Sequence, residues 1–331
     1  MYFRTMAQTE AVSTSQFISG RIVDVQAVAG DPNIVDAVTA ANRSYGGMSE
    51  DAVAARIQKI EEQWDTPNAD LLVKEMTSSR ASRWLQHQRA LKPQLLKIIV
   101  ADENGARVAA TEKPLQYAES YKEHWQAIYA HGNGAVNVTD VRYDERTQFN
   151  YVSVAVPVLE EGSGRFIGAV SALVDISGLF SILDQQLGRT VRILLVKGSG
   201  TIISAPNVTP DLKMMSEEFG AVRDALGTME GRQTGYLTAA MRKGDRIVGF
   251  ADTGLKRSHP NLDWLILVSQ EVREALGPVR TLEHFALLMV VLSLVMMTAL
   301  LAYFWTHRQQ ELADVELLQT HHQTQGKAAS A

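Results

Sequence analysis

The spacing of apolar residues along the chain changes from helical to strand-like, and ends in an unbroken run. From about residue 5 to residue 62, apolar positions such as Phe17, Ile18, Ile22, Val23, Val25 and Val28 recur at mixed three- and four-residue intervals, which predicts helix. Asp31-Pro32 interrupts the pattern and Ile34 to Ala41 resumes it; Tyr45-Gly-Gly47 reads as a loop and Ser49-Glu-Asp51 as a new helix start. Another helical stretch runs from Ser79 to Leu91, before Pro93. The period then shortens. Leu95 to Val100 and Arg107 to Ala110 flank Asp102-Glu-Asn-Gly105, the pattern of two strands joined by a tight turn. Tyr151 to Val158 and Phe166 to Val174 form a second such pair around Glu160 to Gly164. Asp175-Ile-Ser177 opens a helix to about Leu187, with Ser177 as its expected N-cap.

This layout repeats. Ile98 to Thr111 lines up with Ile193 to Pro206, each an apolar strand, a glycine turn and a small-residue strand. Thr234 to Met241, a turn at Lys243-Gly-Asp245, Arg246 to Ala251 and Asp263 to Ser269 supply a second strand set. Two copies of a small antiparallel sheet predict two stacked modules carried on N-terminal helices. The expected class is α+β, with stalk helices over residues 1–62, one module over 63–190 and another over 191–280.

The unbroken run is Phe285 to Trp305, which carries no charge and ends in Tyr303, Phe304 and Trp305. About 20 apolar residues span a bilayer core of ~30 Å, and aromatic rings favour its headgroup layer. A transmembrane helix is therefore expected at 285–305, followed by a short tail over 306–331 in which Thr306 to Leu318 continues as helix. Arg273 and Arg280 precede the span and Arg308 alone follows it closely, so charge does not by itself place the N-terminal part outside. Met1-Tyr-Phe-Arg4 resembles the interfacial end of an earlier span, from which we expect a first transmembrane helix upstream of this chain.

Composition removes several functions. A net charge of −5 without a basic block gives nucleic acid no footing. Cysteine is absent, which excludes disulfides and thiolate metal sites. Gly162-Ser-Gly164 with Gly168 lies between two strands and is a hairpin turn, not a phosphate loop; His321-His322 stands in a polar tail without further metal ligands. Asp140 and Asp144 flank a loop. The expectation is a non-enzyme without cofactor or metal.

In their order, Val100-Ala-Asp-Glu-Asn-Gly105, His124-Trp125, Gly132 to Gly134, Asp140-Val-Arg-Tyr-Asp144, Ala155-Val-Pro157, Gly164-Arg-Phe-Ile-Gly168, Val174-Asp175 and Leu262-Asp-Trp264 resemble the double Cache sensor domains of bacterial chemoreceptors, sensor kinases and related transducers. The resemblance covers about residues 5 to 280. It implies a long N-terminal stalk helix, two PAS-like modules and a ligand in the membrane-distal one. Amino-acid-binding members hold their ligand with aromatic residues, an arginine and an aspartate. On that pattern Trp125 matches the tryptophan, Tyr143 a later tyrosine and Asp175 the aspartate, with Tyr129 among the neighbouring candidates. The departures are Glu123 in the arginine's place, Gln126 in place of an aromatic residue, and Tyr117 one position out of register, with Ala118 where the tyrosine belongs.

Two carboxylates, Glu123 and Asp175, beside the Trp125 and Tyr143 rings favour a cation, and hence an amine-bearing ligand. The functional expectation is a sensor in the plasma (inner) membrane, its large domain extracytoplasmic. It would work as a homodimer and pass ligand binding through the span to a separate cytoplasmic output protein. A membrane-tethered accessory protein without ligand is the alternative, and an extracytoplasmic enzyme a third reading.

Overall fold

A computed structural model of the chain describes residues 2–118, 123–185, 191–206, 211–228, 234–242, 244–275, 285–305 and 307–308. The helices α1 (Tyr2–Ala29), α2 (Pro32–Arg43), α3 (Glu50–Gln63), α4 (Asp70–Ser78) and α5 (Arg80–Leu91) come first. A first sheet follows, formed by β1 (Leu95–Asp102), β2 (Arg107–Ala110), β3 (Asn137–Val138), β4 (Arg142–Asp144), β5 (Phe149–Leu159) and β6 (Phe166–Asp175), with α6 (Glu123–Tyr129) before β3. After α7 (Ser177–Gln185), a second sheet comprises β7 (Arg192–Lys197), β8 (Ile202–Ser204), β9 (Thr234–Met241), β10 (Gly244–Asp252) and β11 (Trp264–Glu271), with α8 (Glu217–Thr228) before β9. Met1–Glu271 forms one compact unit. Val272–Ala331 forms another, containing α9 (Val272–Ala275) and a helix over Phe285–Trp305 long and apolar enough to cross a membrane.

Local chemistry explains the helix boundaries. The Asp31 carboxylate accepts the Asn33 backbone N–H ahead of α2, with Pro32 at the first turn; the hydroxyls of Ser49 and Ser79 accept from Ala52 and Ser82 at the starts of α3 and α5. The cap expected at Ser177 sits two residues earlier. Asp175 Oδ1 accepts the Ser177 N–H at 2.8 Å, so the carboxylate, with its longer reach, satisfies the free donor and Ser177 is already helical. The helical region expected over 1–62 is three helices with different contacts. α1 packs against β9, β10 and β11 of the second sheet and β5 and β6 of the first, whereas α2 packs on β1, β2, β5 and β6.

Both sheets are antiparallel and share one strand order. The first runs β2-β1-β6-β5-β3, with β4 also on β5, and the second runs β8-β7-β11-β10-β9. The repeat read from the sequence is thus a repeat of topology. In the first sheet, Ile98, Val100, Val152, Val154, Val156, Val170 and Val174 join a core with Ile18, Ile22 and Val25 of α1. Each such side chain, fully buried, contributes roughly 1.5–3 kcal/mol. α1 approaches the second sheet so closely that a Cβ at Gly249 would run into the Phe3 carbonyl, and Arg4 and Gln8 donate to Thr234 Oγ1 at 3.1 and 3.2 Å. The turn at Lys243, Arg280, Glu283 and the tail beyond Arg308 lie outside the described residues.

Candidate functional site

Antiparallel pairing puts directly opposed residues on one face, and the two faces of the first sheet differ sharply. Ile98 pairs with Ala172 and Ala172 with Val154, an apolar row facing the core. The neighbouring rows face away from it. Lys97, Leu173 and Ser153 form one, and Ile99, Ser171 and Ala155 the next. At one end of this outer face α6 covers the sheet, where Trp125 and Ile128 pack with Ala101, Ala155, Phe166 and Ala169. The rest of the face stays open beneath residues 114–116.

The opening is a cavity of about 380 Å³, whose charged lining residues, among the described ones, are Lys97, Arg107 and Arg142. Ser153, Ser171, Tyr151, Asn137 and Thr139 add hydroxyl and amide groups. Arg107 is buried, at 6% exposure. Lys97 pairs with the exposed Glu112 at 3.3 Å. Among the described residues Arg142 has no ion pair. The equivalent face of the second sheet is filled. There Leu194, Val196, Phe250, Leu265 and Leu267 pack against Phe219 and Val222 of α8.

A second, wider cavity of about 710 Å³ lies between α3 and α6. Glu50, Glu61, Glu62 and Glu103 line it together with Trp125 and Tyr129. Several of these carboxylates already have partners. Glu61 Oε2 accepts the backbone N–H groups of Tyr117 and Ala118 at 2.7 and 2.8 Å, Glu62 accepts from Gln58, and Glu103 pairs with Arg165 at 3.1 Å.

The sequence candidates divide accordingly. Trp125 and Tyr129 meet at the wider cavity, and both stack edge-on against Phe166, at 5.9 and 5.5 Å between ring centroids. Tyr117 belongs to a separate apolar cluster, tilted against Trp64 at 5.3 Å; burial pushes its hydroxyl up to about 12. Tyr143 sits on β4 opposite Asn150, outside the lining of either cavity. Asp175 ends β6 opposite Tyr151, committed to the start of α7. Glu123 begins α6, and its side chain lies outside what is described. The basic lining residues were missed by the sequence reading. Lys97 alone carries a local signal, a polar residue inside the apolar stretch of β1, as Ser153 is in β5 and Ser171 in β6; Arg107 and Arg142 carry none.

The segment that closes the narrow cavity also grips the second sheet. Asn137 and Thr139 line the cavity, while the intervening groups turn the other way. Asn261 Nδ2 donates to the Val138 carbonyl at 3.0 Å, and Trp264 Nε1 donates to Asp140 Oδ1 at 2.9 Å. Lys197 Nζ meets Asp140 Oδ2 at 2.8 Å and the Val141 carbonyl at 3.2 Å.

A family model described as Cache domain matches residues 3–279. The sequence matches no curated protein. Among solved structures, the ligand-binding domain of the Pseudomonas aeruginosa PAO1 amino acid chemoreceptor PctC in complex with GABA aligns with a TM-score of 0.51 at 14% identity, over 82% of this chain and 98% of that one. The ligand-binding domain of the Pseudomonas fluorescens chemoreceptor CtaA in complex with L-isoleucine gives 0.50 at 16% identity, over 83% and 93%. At these identities the likeness is one of fold.

Proposed function

Because the chain belongs to the Cache domain family, we propose that it is a membrane-held sensor whose ligand occupies the narrow cavity on the outer face of the first sheet. The observation carrying this reading is the contrast between two sheets of one topology. Where the second sheet presents Leu, Val and Phe to α8, the first presents Lys97, Ser153 and Ser171 to open space. A folding chain gains from covering such a face with apolar contacts, so a polar, uncovered one suits a ligand. The solved relatives hold small amino-acid ligands, GABA and L-isoleucine.

In this reading the apolar helix at 285–305 anchors the chain in the inner membrane, with the Cache region extracytoplasmic. The protein acts as a homodimer and binding is relayed to a separate output protein. Ligand contact with Asn137 and Thr139 would move Asp140, and with it Trp264 at the head of β11, the strand that leads in sequence to the second unit. A second reading has a specific observation behind it. The carboxylates, Trp125 and Tyr129 of the wider cavity suit an amine through ion pairing and the negative faces of the rings.

A thermal-shift screen of the full chain in detergent, against amino acids, carboxylates and amines, tests the sensor reading. A ligand at 100 times its Kd adds about 2.7 kcal/mol of stability, a readily measured rise in Tm. A flat response to all three classes favours an accessory protein without ligand.

A further inference from the structure

We infer that the connection between α2 and α3 is a pH-operated gate, in which Tyr45 latches residues 44–49 onto Asp102 and releases them into water as pH rises. Both flanks of this segment are fixed. Asn42 Nδ2 donates to the Ile167 carbonyl at 2.8 Å and its Oδ1 accepts the Glu103 N–H at 3.2 Å, while Val53 and Ile57 of α3 join the apolar cluster around Trp64. Between the flanks, from Arg43 to Glu50, every residue except Tyr45 is exposed. The backbone N–H groups of Ser44, Tyr45, Gly46 and Met48 bond to carbonyls of residues 40–45, so they add no outside attachment. A cavity of about 580 Å³ separates the segment from Glu103, Tyr129 and Phe166. Gly46-Gly47, with a φ of +80° at Gly47, supplies the backbone freedom that a hinge needs. Tyr45 is the anchor: its Oη donates to Asp102 Oδ2 at 2.8 Å.

Asp102 supplies the pH dependence. It is buried, and its Oδ1 already accepts the N–H groups of Asn104 and Ala106. An added proton therefore goes to Oδ2, where the carboxyl donates to Tyr45 Oη and the closed pair is uncharged. Without that proton the closed gate holds a buried negative charge, and opening brings it to water. The groups around Asp102 do not cancel this charge. Glu103, next in the chain, adds to it, and Glu103 is itself paired with Arg165. Tyr45 and Tyr117 are pushed up by burial and by Asp102, so both stay neutral. Arg56 of α3 lies over the Tyr45 ring, 5.5 Å from its centroid, and acts on these two phenols instead of on Asp102. β6 opposes Asp102 with Gly168, and Arg107 of β2 pairs opposite Ala101 and lines the narrow cavity. Burial wins, and the Asp102 carboxyl is pushed up to about 6. In the open gate it returns toward the ordinary 3.8. The closed form thus binds the proton more tightly, so opening grows with pH between those values and levels off above about 6. The wider cavity shares Glu50, Val53, Glu103 and Tyr129 with the space under the gate, so its mouth changes as well. Proton concentration becomes an input of the first module, independent of which cavity holds a ligand.

The test is hydrogen exchange of the full chain in detergent, from about pH 4 to pH 7, with each rate divided by the intrinsic rate at that pH. In the parent, corrected exchange of residues 44–49 should rise about tenfold or more up to pH 6 and then level off, within an overall limit of about a hundredfold. Asp102→Asn, which cannot ionise, should exchange at one corrected rate throughout. Tyr45→Phe, which keeps the ring and removes the anchoring hydroxyl, should speed exchange at every pH. Strand β11 should exchange far more slowly than the gate across the range, which marks the opening as local. A flat parent profile would overturn the gate, as would a rise that persists in Asp102→Asn. A rise shared equally by β11 would mean global unfolding and overturn it as well. Should Asp102→Asn fail to fold, the parent profile and Tyr45→Phe still decide, because exchange in Tyr45→Phe equal to the parent's would remove the latch.

Discussion

Trp264→Ala should cost the folded protein roughly 3–5 kcal/mol, the range for truncating a large buried aromatic residue. Trp264 is fully buried and joins the same core as α1 and the first sheet, so its removal leaves a cavity where the modules meet. It also removes the donor to Asp140, whose other oxygen faces Lys197. Trp264→Phe separates these contributions. The ring fills most of the space, while loss of the indole N–H leaves Asp140 with Lys197 and the Val141 backbone N–H, at an expected cost of about 1–3 kcal/mol. Urea denaturation of the two variants and the parent chain, in one detergent, measures both. Equal losses for Phe and Ala would mean that the hydrogen bond, not the packing, dominates at this position. A loss under about 1 kcal/mol for Ala would remove Trp264 as a structural link between the modules.

Asp102 should make the stability of this protein depend on pH in the direction opposite to that of a salt-bridged carboxylate. It is buried at the end of β1, where its oxygens accept from Tyr45 Oη at 2.8 Å and from the backbone N–H groups of Asn104 and Ala106 at 2.9 and 3.0 Å. Burial outweighs these bonds and pushes its carboxyl up to about 6 from 3.8. Between those two values the folded state holds the proton that the unfolded state releases, so stability falls as pH rises. Below about 4 both states are protonated and the carboxyl costs nothing extra. Above about 6 the buried charge costs about 3 kcal/mol. Asp102→Asn keeps an acceptor for the turn and cannot ionise. Its stability relative to the parent should therefore improve by about that amount from pH 4 to pH 7. Parallel denaturation curves for parent and variant across this range would show that Asp102 is not held in a charge-disfavouring site.

The strands were legible because their signal is local. Leu95 to Val100, Arg246 to Ala251 and Asp263 to Ser269 are bounded apolar runs, and each lies within or nearly within an observed strand. The repeat between residues 98–111 and 193–206 was legible for the same reason, and both segments fold as paired strands at one edge of their sheets. What stayed hidden depends on distant partners. β3 and β4 are two and three residues long and exist as strands only by pairing with β5. α6 is seven residues long and carries Trp125 and Ile128 onto a sheet that no helical period announces.

The candidate site was legible in part. Trp125 and Tyr129, four residues apart on or beside one helical turn, do come together. Lys97, Arg107 and Arg142 are scattered along the chain, and only the pairing of β2, β1, β6, β5 and β4 brings them to one cavity. Register decides that grouping: shifting one strand by a single residue would send its polar groups into the core. Asp175 illustrates the converse. Its place in the family order suggested an amine partner, while the local geometry gives its carboxylate a helix start to satisfy.

A ligand on the first sheet should be felt at the head of β11. Hydrogen exchange of the full chain, with and without the most stabilising compound of the thermal-shift screen, tests it directly. Slower exchange is predicted both in residues 137–144, at the cavity wall, and in residues 259–264, which reach that wall through Asn261 and Trp264. Protection confined to α3 and α6, or protection at 137–144 that never reaches 259–264, would contradict it.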